Sequence, residues 1–399
     1  MNKQSNQTKK LKLGIVGLGR AATLMLPTIL NHPYFEIAAA ATRTKEVRER
    51  FEKDFNAEVY ATIEELCQSP SVDVVYIATP HEHHCEQVIV AAEAGKHILV
   101  EKPIALSLEE CDKMIEAVER NGVKMVVGPT HSFNSPVLKI AEMAKSGELG
   151  SIKMIHAFNY TDFLYRPRRP EELDTSKGGG IIFNQLPHQV SIVRLLGGGM
   201  VKSVRGSAGI WDPSRPTEGS ATAFLEFEND VSATILYSGY GHFDSDEFHS
   251  WVGESGGIKE PSRYGQARSK LQHAKDAAEE TQMKKATGYG GFQREQGNAT
   301  YYHPHFGIVI ASFEKGDVRI TPEGVMVYRD DQKEHISLPM DDFSFNNTNV
   351  LTELYESIVL DRSPTQDGRW GRANLEVCLA ILESGRHKRE VYLSRQVPL

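Results

Sequence analysis

Leu11-Lys12-Leu13-Gly14-Ile15-Val16-Gly17-Leu18-Gly19-Arg20-Ala21-Ala22 decides the fold. Its first six residues read as a strand that runs into Gly-x-Gly-x-x-Ala and then into an apolar helical stretch with Leu24, Leu26, Ile29 and Leu30. In that strand–turn–helix setting, Gly17 and Gly19 let backbone approach a pyrophosphate seated over Arg20 and Ala22 at the helix N-terminus. A second strand, Glu36 to Ala41, follows at the distance expected of a dinucleotide-binding unit. Pro27 is expected to kink the helix between them.

The end of the second strand bears on which dinucleotide fits, because an acid there normally bonds the adenosine ribose 2'-hydroxyl. This chain has Thr42-Arg43-Thr44-Lys45 instead. Nothing acidic repels a 2'-phosphate, and Arg43 can stack on adenine or pair with that phosphate, so the loop leans to NADP or dual use. The plainer alternative is that Arg43 and Lys45 begin the solvated helix Glu46 to Phe55.

Further strands repeat the pattern. Val72 to Ala78 ends in Thr79-Pro80-His81-Glu82-His83-His84-Cys85, followed by a helix over Glu86 to Ala94. Contiguous histidines at a strand–helix junction cannot all converge on one ion, so no metal is expected. Thr79 and Pro80 are expected to line the nicotinamide ribose while one histidine, His84, orients the loop. Lys96 to Val100 then ends in Glu101-Lys102-Pro103. Open parallel sheets bind ligands at the carboxyl ends of their strands, so Lys102 points into the crevice unless it is a solvated, salt-bridged lysine. After a helix over Leu108 to Asn121, the strand Val123 to Val127 leads to Gly128-Pro129-Thr130-His131. The alternation describes a doubly wound parallel α/β domain over residues 11–130, preceded by a flexible tail, 1–10.

From residue 131 to 399 a different domain is expected. Ser151 to Thr161, Val201 to Gly209, Ser220 to Phe227, Val231 to Ser238, His305 to Phe313, Val318 to Ile320 and Gly324 to Tyr328 read as strands of an open, mainly antiparallel sheet with one face to cover. Between the first two lies Gly178-Gly179-Gly180-Ile181-Ile182-Phe183-Asn184-Gln185-Leu186-Pro187-His188, read as continuing in a helix to Leu196, on which Asn184 and His188 share a face. A polar, Gly-rich interruption over about 240–302, with one solvated helix near Gln266 to Ala286, reads as a lid, an oligomer contact or a disordered insertion. Leu351 to Leu360 and Ala373 to Ser384 read as amphipathic helices packing back on the body.

The 399 residues carry a formal net charge of -8. That balance argues against nucleic acid or an anionic membrane as partner, and no apolar run reaches spanning length. The four cysteines show no CxxC pair, and the N-terminus lacks an apolar signal segment, so a cytoplasmic setting is the default.

Gly17-x-Gly19-x-x-Ala22, Thr79-Pro80, Glu101-Lys102-Pro103 and Gly178-Gly179-Gly180 with His188 resemble the glucose-fructose oxidoreductase/inositol dehydrogenase/MocA family over nearly the whole chain. The resemblance implies a Rossmann domain followed by an α+β domain whose open sheet mediates dimers or tetramers. It implies Lys102 and His188 as the catalytic pair, His131 close to substrate, Glu101 and Lys102 against the NAD(P) cofactor, and Asn184 at the place of the family's usual aspartate. An amide there still orients a substrate hydroxyl but removes an aspartate-assisted proton relay. Arg166-Pro167-Arg168-Arg169-Pro170-Glu171-Glu172-Leu173-Asp174, His303-Pro304-His305-Phe306-Gly307 and Asp367-Gly368-Arg369-Trp370-Gly371 are similar to the family's cis-dihydrodiol dehydrogenases of aromatic-acid breakdown. Guanidinium forks match carboxylates, so Arg166, Arg168 and Arg169 are expected to hold a substrate acid, against the alternative of a solvated basic turn. The expected activity is NAD(P)-dependent oxidation of a cyclic secondary alcohol, a carboxylated cis-dihydrodiol going to a catechol. A sugar or inositol dehydrogenase and a dinucleotide-sensing regulator without turnover are the alternatives.

Overall fold

The structure, a computed structural model, describes residues 10–291, 301–340 and 347–399. Most of the expected tail and part of the interruption near 240–302 lie outside the described residues.

The first sheet comprises β1 (Leu11–Val16), β2 (Phe35–Ala41), β3 (Glu58–Tyr60), β4 (Val74–Ile77), β5 (His97–Val100) and β6 (Met125–Val127). All six strands are parallel in the order β3-β2-β1-β4-β5-β6. The chain leaves β1 toward one edge and returns to β4 on its other side, so the strand order reverses between β1 and β4 and a crevice opens at their carboxyl ends. Both faces are covered, by α1 (Arg20–Asn31), α2 (Lys45–Phe55), α3 (Ile63–Gln68), α4 (His84–Glu93) and α5 (Leu108–Arg120), which is why Val74–Ile77 is buried at every position. β3 and α3 escaped the sequence reading, although Thr62 and Glu65 form a capping box whose Thr-x-x-Glu signature was present.

After α6 (Ser135–Ser146) comes the second sheet: β7 (Ile152–Tyr160), β8 (Val201–Gly209), β9 (Ser220–Phe227), β10 (Ser232–Ser238), β11 (Ile308–Phe313), β12 (Gly316–Thr321), β13 (Gly324–Tyr328), β14 (Lys333–Ser337) and β15 (Val391–Tyr392). Its order is β14-β13-β12-β11-β7-β10-β9-β8-β15. β7 and β10 are its one parallel pair among the described residues, and the rest are antiparallel.

The glycine run does not open one helix. It opens α7 (Gly180–Asn184), which breaks at Gln185 (φ -120, ψ -48) before α8 (Leu186–Gly197), so the expectation that Asn184 and His188 share one helical face is corrected. Pro187 has no N–H for the Phe183 carbonyl and favours the first turn of a new helix, which puts the break there.

α8 is almost wholly buried beneath the sheet, and its Arg194 survives in the core by stacking 4.0 Å from the Trp370 ring and donating to Asn374 Oδ1 at 2.8 Å. Trp370 belongs to α12 (Gly368–His387), whose N-cap is Asp367, so the Asp367–Gly371 segment is spent on packing. α11 (Thr348–Val359) returns to the first sheet, where Val350, Leu351 and Leu354 join the core of Leu13 and Ile15. The helical stretch expected over 266–286 is two short helices, α9 (Gln266–Leu271) and α10 (Ala277–Lys285).

Candidate active site

At the carboxyl end of β5, the Lys102 ammonium reaches across to the second domain and donates to the Asn184 backbone carbonyl at 2.8 Å. The break after α7 exposes that carbonyl, because a continuous helix would have consumed it. His188, on the first turn of α8, faces His131 (ring centroids 4.7 Å apart), and Phe306 packs on both rings at 4.6 and 4.9 Å. Lys102 acts electrostatically on both His131 and His188, so the three belong to one centre. Phe306 and Tyr237 complete the wall: the rings stack at 5.8 Å, and the Tyr237 hydroxyl meets Thr161 Oγ1 at 2.9 Å and Gln185 Oε1 at 3.2 Å. Neither was identified as a site residue in the sequence, where Tyr237 reads simply as a strand aromatic.

The site is buried, and burial governs its protonation states. Burial lowers the Lys102 pKa from 10.5, with Arg168 adding to the effect and Glu101 and Glu254 opposing it. Burial likewise holds His188 far below 6.5, reinforced by Lys102 and His131, and brings His131 down to about 3. His131 Nδ1 accepts from Asn134 Nδ2 at 2.8 Å, which leaves the proton of the neutral ring on Nε2. His188 Nδ1 is buried without a hydrogen-bond partner among the described residues. The centre thus holds an amine and two imidazoles biased toward their neutral forms, and such groups can take a proton.

Not every expected cofactor contact faces the crevice. The Glu101 carboxyl is turned inward onto the Tyr76 hydroxyl (2.6 Å), and burial raises its pKa to about 7 against the pull of Lys102. His84 stands between the Thr79 and Pro103 carbonyls, 3.0 Å from each, and so ties the Thr79-Pro80 turn to the lysine turn. Pro80, Asn184, Gly178 and Arg169 line a narrow recess at the same junction. Both Asn184 amide protons are used, on the Gly178 and Gly180 carbonyls at 3.0 and 2.8 Å, so only its Oδ1 is left to meet a substrate.

The glycine loop fits a dinucleotide. Gly17 has φ +87, and a Cβ there would stand 2.8 Å from Thr79 Cγ2, so the β1 and β4 turns close on each other only with glycine. A Cβ on Gly19 would meet nothing within 4 Å, and no side chain caps α1, whose first turn contains Arg20 and the buried Ala22. Open space above uncapped N–H groups is what a pyrophosphate needs. Thr42 is fixed by its N–H to the Tyr60 carbonyl (3.1 Å), while Arg43 is exposed at the rim. Arg43→Ala is accordingly expected to weaken NADP more than NAD, by about one decade for a lost charge-assisted bond. Titration of both cofactors checks this, and equal losses would assign Arg43 to adenine stacking or to no role.

The arginine turn divides. Arg166 pairs with Asp162 (2.8 Å) and Glu254 (3.3 Å), which hold its pKa above the ordinary value despite burial. Glu254 also accepts from Asn159 Nδ2 at 3.1 Å; burial would raise its pKa, but Arg166, Lys259, His131 and His305 keep it down to about 2. No motif marked this lone glutamate in a polar stretch. Arg168 is spent within its own turn: it lies 3.7 Å over the Phe163 ring, donates to the Phe163 carbonyl at 2.8 Å and stands 3.6 Å from Glu172. Arg169 also pairs with Glu172, at 3.4 Å. Only Arg166 combines partial exposure with electrostatic contact to the Lys102–His131 centre, through Glu254. Among the described residues, no group of three or more His, Cys, Asp or Glu side chains is placed to hold a metal, and no helix is long and apolar enough to cross a membrane.

Residues 11–129 match an oxidoreductase family with an NAD-binding Rossmann fold, GFO/IDH/MocA, and residues 137–259 match the GFO/IDH/MocA C-terminal domain. The chain is 39% identical, over 94% of its length and 95% of the relative's, to the 1-carboxy-3-chloro-3,4-dihydroxycyclohexa-1,5-diene dehydrogenase of Comamonas testosteroni. A crystal structure of a Bordetella bronchiseptica RB50 protein described as a dehydrogenase superposes with a TM-score of 0.91 at 44% identity, covering 96% of this chain and all of that one. An Agrobacterium radiobacter oxidoreductase solved with NAD+, L-tartaric acid and magnesium shares the fold at 16% identity, with a TM-score of 0.72 over 96% of this chain and 98% of that one.

Proposed function

Because the chain belongs to the GFO/IDH/MocA family of NAD(P)-dependent oxidoreductases, we propose that it oxidises a carboxylated cis-dihydrodiol to a catechol. The observation that carries the reaction is that Lys102, bonded to the Asn184 carbonyl at the carboxyl end of β5, bears electrostatically on the paired rings of His131 and His188. The chain-length likeness to a dehydrogenase of a carboxylated, chlorinated dihydrodiol supports the substrate class.

When bound, the nicotinamide accepts hydride from the carbinol carbon. The chain's residues do the rest. Lys102 or His188 takes the hydroxyl proton as the carbon–hydrogen bond breaks, and Asn184 Oδ1, whose amide protons are already spent, orients the diol. Phe306 and Tyr237 wall the ring off from water, and Arg166 turns toward the acid. The resulting ring ketone enolises to the catechol. Loss of two hydrogens from the diol balances the reduction of one dinucleotide.

The two bases predict different pH dependences. An active Lys102 must lose a proton, so kcat/KM rises with pH and levels off at a pKa below 10.5. An active His188 is already neutral above 6.5, and the profile is then flat from there upward. We expect the rise; a flat profile assigns the base to His188.

The polyol reading keeps one observation in its favour: Arg166 is already neutralised by Asp162 and Glu254. A turnover screen of a carboxylated dihydrodiol, its neutral analogue, myo-inositol and glucose, each with NAD+ and NADP+, decides between them. Preference for a polyol defeats the diol reading, and dinucleotide binding with no turnover of any substrate would make the chain a sensor. The reading extends to a cytoplasmic homo-oligomer. Four free cysteines suit a reducing compartment, and exposed Met154 and Phe224 on β7 and β9 suit a partner against the open sheet.

A further inference from the structure

Residues 266–291 run from the second domain to the glycine loop of the first. At the near end, the Arg268 guanidinium lies 3.8 Å over the Tyr165 ring and donates to the carbonyls of Tyr240 and Gly241. In the middle, Glu280 takes both prongs of Arg215 at 3.1 and 2.8 Å and the Arg168 N–H at 2.7 Å, and Lys284 meets Glu172 at 2.9 Å. At the far end, the Tyr289 N–H donates to the Leu18 carbonyl at 3.1 Å. A Cβ on Gly288 would stand 3.5 Å from Gly19 Cα. The Tyr289 ring packs 5.3 Å from Phe51 and its hydroxyl donates to Asp54 at 2.5 Å, while Arg50 donates to the Gly290 carbonyl at 2.8 Å.

We propose that this segment is the outer wall of the dinucleotide site and that Tyr289 is the latch that must release before the dinucleotide leaves. The segment lies against Leu18 and Gly19, where the backbone is open to a pyrophosphate, and is fixed to both domains. It is held by separate polar clasps: α9 and α10 bury no residue. A segment attached this way opens without unfolding a core, as closing loops over cofactors do. Among the described residues, Tyr289 is the one clasp on the first domain that joins ring packing to two hydrogen bonds, so its release frees the far end while Arg215 and Arg268 still hold the near end.

The test is the dissociation rate of NADH from the full-length protein, followed by its fluorescence after dilution into competing dinucleotide. Tyr289→Ala is expected to raise that rate by about tenfold or more, and Tyr289→Phe and Glu280→Gln, which keep the segment's packing, by a smaller factor. Trypsin cleavage between Arg268 and Lys285 is expected to slow under saturating NADH in the wild type and much less in Tyr289→Ala. Dissociation rates within about twofold of wild type in all three variants would overturn the proposal, as would cleavage indifferent to NADH. Failure of the wild type to bind NADH at all would instead strike at the dinucleotide reading on which the proposal rests.

Discussion

Lys102→Met is expected to lower turnover by about 10²- to 10⁴-fold, the usual loss on removing a general base, while dinucleotide affinity stays within a small factor. Methionine keeps the unbranched apolar stem of lysine, so the packing at the carboxyl end of β5 survives. What disappears is the amine and its 2.8 Å bond to the Asn184 carbonyl. The dinucleotide loop is held by the Gly17 N–H on the Ala41 carbonyl at 2.9 Å and does not depend on that bond. Steady-state kinetics and a fluorescence titration with NADH separate the two effects. Near-normal turnover in the variant, with a collapse in His188→Asn, would transfer the base to the imidazole.

The second large effect belongs to Arg166. Arg166→Ala is expected to cost about one to two decades in kcat/KM on the carboxylated diol, the worth of a charge-assisted bond of roughly 1.5 to 3 kcal/mol, and to spare the neutral analogue. Arg168→Ala and Arg169→Ala are expected to leave the acid preference in place, because their guanidinium groups are committed to Phe163 and Glu172. Removing Arg166 also leaves Glu254 buried beside only Asn159 and more distant cations, and an uncompensated carboxylate destabilises the fold. The double variant Arg166→Ala/Glu254→Gln removes that cost. If it restores thermal stability without restoring the acid preference, the carboxylate contact is distinguished from a structural role. If every arginine variant keeps the preference, the basic turn is a scaffold and the polyol reading gains.

Much of the first domain was legible because its constraints are local. Gly17 needs a backbone conformation that a side chain disfavours, the run Val74–Ile77 must be apolar to lie between two helical layers, and Lys102 comes two residues after a strand whose end opens on the crevice. These are properties of a few adjacent residues, so the parallel sheet, the dinucleotide loop and the lysine could be read from the chain in order. The antiparallel course of most of the second sheet was legible for the same reason, from short strands and turns. The tertiary structure alone decided the rest. Pro187 sets where α7 ends, but that the freed Asn184 carbonyl meets Lys102 depends on a contact across 82 positions, and that Glu254 neutralises Arg166 depends on one across 88. That Tyr289 meets Leu18 and Asp54 likewise follows from where separate segments meet. No local pattern encodes such meetings, because they are set by how two domains pack and by which buried charge finds a partner there.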